Sequence, residues 1–211
     1  MEIFAYLPIL FFSIILHEVA HGMAAYRLGD DTAYLSGRLT LNPVAHVDVI
    51  GTLIVPAACY FLNLPLFGWA KPVPVNPYRF PSPRRDMGKV AFAGPAVNLC
   101  LALVFVLIIK ILIIFQDSFS FEFLSQTVRL FQYGMFINVL LAVFNLMPIP
   151  PLDGGRIVAS VLPVKQAIMY ERFLGRYGMY IVLLLILSGA VRYFLLPPAQ
   201  FIIGLFSKIL G

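Results

Sequence analysis

Four separate apolar runs, each about 20 residues or longer, constrain this chain more than any other feature: Ile3–Leu28, Val90–Phe115, Val128–Met147 and Tyr177–Leu196. About 20 such residues in a helix match the ~30 Å hydrocarbon layer of a bilayer. Backbone buried in lipid must satisfy its own hydrogen bonds, which favours helices. Composition agrees, with 61% hydrophobic and 12% charged residues, whereas a soluble domain carries ~25% charge. A soluble globular domain, disorder and a disulfide scaffold are thereby excluded, and Cys59 and Cys100 are too few for a cysteine framework. The net charge of +5 is not a nucleic-acid signal, because no aromatic-interleaved basic stripe accompanies it. The expected fold is an all-α polytopic membrane protein, a bundle of four to five transmembrane helices in one domain spanning residues 1–211. The first run lacks a basic leader and a small-residue cleavage site, so it is not read as a removable signal peptide.

The connections carry further expectations. A fifth apolar stretch, Val49–Phe67, is interrupted by Gly51, Pro56, Asn63 and Pro65, and either crosses or re-enters. Tyr34–Leu41 alternates in part around Gly37 and reads as a short β-hairpin or edge strand. Such an edge would pair with an unwound substrate. Trp69–Asp86, rich in proline, reads as extended and irregular. After Pro197-Pro198, the apolar tail 201–210 is expected at the membrane interface.

The chemistry concentrates in His17-Glu18-Val19-Ala20-His21. On a helix, residues i and i+4 share a face, so both imidazoles reach one metal ion. Glu18 falls beside that face, where a carboxylate can take a proton from water that the metal activates. Ionisable groups at mid-span cost about 2.5–3.5 kcal/mol each on insertion scales, so three together require a reason. The alternative is polar glue between helices.

Two histidines leave a catalytic zinc one protein ligand short. Asp153 is the outstanding candidate among the ten acidic residues. It follows Pro148, Pro150 and Pro151 at the end of an apolar run, and broken backbone at membrane depth is tolerated where protein buries it or water reaches it. Its bland reading is a cap on the next helix. His46 with Asp48 is either a second polar cluster near substrate or metal, or a hairpin end facing water. Asn98 and Asn138 either orient ligands or substrate, or pack helices.

Three stretches resemble the site-2 protease family of intramembrane zinc metalloproteases: His17-Glu-Val-Ala-His21, Ala93-Gly-Pro-Ala-Val-Asn98 and Asn145-Leu-Met-Pro-Ile-Pro-Pro-Leu-Asp-Gly154. The chain looks similar to the short bacterial and archaeal members, without the PDZ or CBS domains found on others. The resemblance implies one Zn2+ per chain held by His17, His21 and Asp153, with Glu18 as catalytic base. It implies that Asn145 helps hold substrate; Asn98 and His46, on the reading of the residues themselves, are further substrate-side candidates. It also implies a multi-pass protein of the cell membrane whose partners are the lipid bilayer and a transmembrane protein substrate, cleaved in regulated intramembrane proteolysis. The rival classes are a divalent-metal transporter, which needs no Glu between the histidines, and a catalytically silent binding protein of the same fold.

For the three ligands to meet at one depth, the runs 3–28 and 128–147 must point the same way. That holds if Val49–Phe67 re-enters. Lys and Arg then divide 11 to 4 between the two sides, against 9 to 6 for a full crossing. The positive-inside rule favours the larger bias, giving an outside N-terminus and a metal nearer the cytoplasm.

Overall fold

The computed structural model describes residues 2–62 and 68–210, which contain eight α-helices and no strand. In chain order these are α1 (Glu2–Arg27), α2 (Thr32–Leu35), α3 (Val55–Phe61), α4 (Pro83–Ile114), α5 (Phe121–Asn145), α6 (Asp153–Val161), α7 (Val164–Leu187) and α8 (Val191–Leu210). Four of them, α1, α4, α5 and α8, are long and apolar enough to cross a membrane. Many of their large apolar side chains, among them Phe11, Phe12, Val104 and Leu107, are exposed, as lipid-facing residues must be. The protein is an all-α polytopic membrane protein, as its composition requires.

Contacts order the helices. Tyr6 stacks on Tyr133 at 4.4 Å between ring centroids, and Ser13 meets Asn138 further along both chains. Helices α1 and α5 therefore run parallel. By contrast, Ser13 and His17 meet Asn98 while His21 meets Val90, so α4 runs antiparallel to α1. A small core of Ala25, Phe80 and Val90 closes the end where α1 stops and α4 begins.

The segment between them leaves and rejoins the bundle at that same end, since Asp30 accepts the Asn76 N–H at 2.6 Å. Within it, a π-helical stretch (Val49–Ile54) and α3 form 13 helical residues. At 1.5 Å per residue they reach about 20 Å, short of the ~30 Å needed. The described part of the run, Val49–Phe61, is thus too short to count as a crossing; residues 63–67 lie outside the described ones.

Three expectations are corrected. Tyr34–Leu41 is not a hairpin. Asp30 accepts the Thr32 amide and hydroxyl, which starts the helical turn α2, and the chain then bends through Gly37 at φ 64°. The apolar run Tyr177–Leu196 is not one helix either. It breaks at Ser188–Ala190, where Gly189 takes φ 70°. The fourth long apolar helix is α8, which carries Pro197 and Pro198 within it, and prolines are tolerated in membrane helices. Consequently the tail does not lie apart: Ile202, Ile203 and Phe206 pack on Ala102, Val139, Val143 and Ala199.

Candidate metal centre

His17 and His21 stand one turn apart on α1, their rings edge to face at 4.6 Å between centroids. Asp153 is the first residue of α6, just after the proline-broken link 148–151. All three are buried. Its Oδ2 lies 3.2 Å from Nε2 of each histidine, and the two Nε2 atoms are 3.0 Å apart. Helix capping does not explain Asp153, because the N-cap is Leu152 and no side chain caps this helix. A negative charge at this N-terminus is nonetheless favoured by the helix dipole.

Hydrogen bonds fix the tautomer: in each ring, when neutral, the proton sits on Nδ1 and Nε2 is left bare. His21 Nδ1 donates to the Val90 carbonyl at 2.7 Å, which can only accept. His17 Nδ1 donates to Asn98 Oδ1 at 2.6 Å. The amide of Asn98 is oriented in turn: its Nδ2 donates to Asn138 Oδ1, and Asn138 Nδ2 donates to Ser13 Oγ and to the Gly134 carbonyl. Ser13 Oγ donates to the Ile9 carbonyl. This chain of donors ends on backbone acceptors, so neither amide can be reversed without losing bonds.

With both Nδ1 atoms protonated, neutral imidazoles direct Nε2 lone pairs at one another and at a carboxylate oxygen. Asp153 Oδ2 is buried without a donor. Three converging acceptors with no proton among them repel, and a cation removes that repulsion. Ligand arms of about 2.0–2.1 Å give a tetrahedral edge of about 3.3 Å, which the 3.0–3.2 Å separations approach. A nitrogen–nitrogen–carboxylate set with outer hydrogen bonds to both imidazoles suits zinc. Gly94 of α4 makes the room: a Cβ there would overlap both rings.

Glu18, half-buried beside this group, accepts the Val73 N–H at 2.9 Å through Oε2. That bond brings the extended segment 68–76 against α1. The same segment is held by Lys71 N–H to the His46 carbonyl and by Arg38 Nη2 to the Lys71 and Pro72 carbonyls.

The remaining candidates separate. Asn98 is fully buried with both ends of its amide engaged, and one of its partners is the His17 ring. Asn145, at the end of α5, donates to Leu141 O and is half-buried. His46 is buried rather than water-facing. It donates to the Thr40 carbonyl, and it is not among the residues that converge with His17. Asp48 accepts from Gly51 N–H and caps the π-helical stretch, so the two form no common cluster. Ser13 was the readable omission, since positions 13, 17 and 21 repeat every four residues along one face. The Val90 carbonyl and the Val73 amide are backbone groups, which side-chain patterns do not announce.

Comparison with known proteins agrees with this geometry. Residues 113–189 match the model of Peptidase family M50. The chain is 35% identical over 99% of its length to a Bacillus subtilis (strain 168) protein named "Putative zinc metalloprotease YwhC", and spans 94% of that protein. It is 32% identical over 85% of its length to Rip2 of Mycolicibacterium smegmatis, which bears the same description, and spans 65% of it. No solved structure matches. With a relative aligned along almost its full length and the donors of a zinc site gathered inside its helices, the chain belongs to Peptidase family M50, the site-2 protease family.

Proposed function

We propose that this protein is an intramembrane metalloendopeptidase that hydrolyses peptide bonds within or near membrane-spanning segments of other membrane proteins. The observation that carries the reading is the meeting of three bare acceptors from α1 and α6 inside the bundle, with Glu18 next to the first of them. His17, His21 and Asp153 would hold one zinc ion per chain. When bound, zinc supplies Lewis acidity, polarising a carbonyl and lowering the pKa of water.

The chain's own groups do the rest. Glu18 is anchored through one carboxylate oxygen by the Val73 amide. It takes a proton from the water whose oxygen bonds to the scissile carbonyl carbon. It then returns that proton to the nitrogen as the C–N bond breaks, leaving a carboxylic acid and an amine. Pro148 and Pro151 are exposed beside Asp153 and form the route for water. Asn145, at the adjoining end of α5, is placed to hold the substrate backbone. The cell membrane is the proposed location, with the metal nearer the cytoplasm.

The test is Glu18→Gln in the detergent-solubilised chain with a single-span substrate. Zinc should remain at one per chain while cleavage falls 10²–10⁴-fold, the contribution typical of a general base. Cleavage within about threefold of the parent, measured alongside intact zinc, removes Glu18 from the chemistry.

A further inference from the structure

A concave site lined by none of His17, His21 and Asp153 lies elsewhere in the bundle. Between the first turns of α4 and the end of α6 is a cavity of about 550 Å³, lined in part by Arg84, Arg85, Lys89, Phe92, Ser160 and Val161. That volume is within the range of small-molecule sites. Its floor is closed where α4 and α6 touch, since a Cβ on Gly88 would overlap the Ser160 side chain.

The charges of its rim do not cancel. Asp86, on the same first turns of α4, is already engaged: it accepts from Lys89 Nζ at 2.7 Å and from Ser82 N–H at 2.9 Å. Arg84 and Arg85 have no acidic partner among the described residues. Arg84 Nη1 is buried and meets no acceptor. A guanidinium N–H withdrawn from water without an acceptor is costly, and its strongest complement is an oxyanion with several oxygens.

The apolar part of the lining has its own order. Arg85, Lys89 and Phe92 follow the i, i+4, i+7 spacing of one helix face. Cations thus stand at the helix start, with an exposed aromatic ring two turns along. Val161, also exposed, faces the cavity from α6. The apolar run of α4 starts at Val90, so this rim sits at the boundary of the span. Basic pockets between membrane helices take anionic headgroups for these reasons.

We propose that this cavity binds a phosphate group through Arg84 and Arg85, and the apolar wall of Phe92 and Val161 points to an anionic phospholipid as its carrier. A lipid seated here would touch both helices that carry the candidate metal-site groups Val90, Asn98 and Asp153, its phosphate on α4 and its apolar part against Val161 of α6.

The experiment uses the zinc-loaded full chain in nanodiscs of mixed phosphatidylcholine and phosphatidylglycerol, with retained lipid counted by native mass spectrometry. The parent should retain phosphatidylglycerol with about tenfold preference. The double variant Arg84→Gln/Arg85→Gln should lose that preference. So should Val161→Glu, an exposed position where a carboxylate enters the cavity without disturbing packing. Lys165→Gln/Arg172→Gln, which removes the same charge from exposed positions on α7, should keep it. In pure phosphatidylcholine nanodiscs, inorganic phosphate is titrated and followed by phosphorus NMR. Phosphate binding that depends on Arg84 and Arg85, without lipid preference, assigns the site to a free phosphate. No preference and no phosphate binding, or equal loss in the α7 control, overturns the proposal.

Discussion

At the residue scale, an ionisable group inside an apolar run is expensive and needs a purpose. His17, His21 and Asp153 converge as their spacing and position implied. An asparagine inside a span serves helix packing as readily as it serves a ligand. Only the coordinates show that Asn98 receives His17 Nδ1–H. Asn98→Ala is expected to weaken zinc binding 10- to 100-fold, the usual cost of losing an outer partner of a metal-bound imidazole. Asn138→Ala, one bond further along the donor chain, should weaken it less. Competition with a chromophoric chelator measures both. A loss below about threefold for Asn98→Ala would mean that the ring is oriented by other contacts.

At the scale of elements, the helices that position the site followed from apolar length, while their ends followed from local hydrogen bonding. Within the run 177–196, Ser188-Gly189 is a weaker signal than the conspicuous Pro197-Pro198, and the weaker signal marked the true break. Similarly, the alternation at 34–41 gave way to a turn set by Asp30. Asp30 does more than start α2, since it also holds Asn76 at the far end of the 31–75 segment. Burial pushes the Asp30 carboxyl up. The Thr32 hydroxyl, the Asn76 and Thr32 amides and nearby Arg79 together outweigh burial and hold it below the usual carboxylate range.

A depressed carboxylate stabilises the fold above its unfolded pKa, near 3.9, and that contribution is lost as pH falls through the folded value. Asp30→Asn should therefore destabilise the protein by about 1.5–3 kcal/mol at neutral pH, the worth of hydrogen bonds to a charged group. The deficit should shrink as the pH falls below about 4. Thermal unfolding of parent and variant across pH measures the difference. A deficit that stays constant into acid would exclude the ionised carboxylate as its source.

At the scale of the molecule, the requirement that three ligands meet at one depth predicted the helix directions before any coordinate. The parallel pairing of α1 with α5 satisfies it. What the sequence left open was whether 49–67 crosses. The Asp30–Asn76 bond answers that by returning the chain to its starting end. The same geometry places Ser36 and Ser82 at one end of the bundle, and Ser120, the N-cap of α5, at the other; all three are exposed. The bias of basic residues supports the proposal that the first end faces the cytoplasm. In a background with Cys59 and Cys100 replaced, single cysteines at 36 and 82 should resist an impermeant maleimide in intact cells and react after the membrane is opened. A cysteine at 120 should react in intact cells. Labelling at 82 from outside while 36 stays protected would mean that the intervening segment crosses after all. Labelling of both 36 and 82 from outside, with 120 protected, would keep the helix directions and invert the whole molecule, placing the metal nearer the outer face.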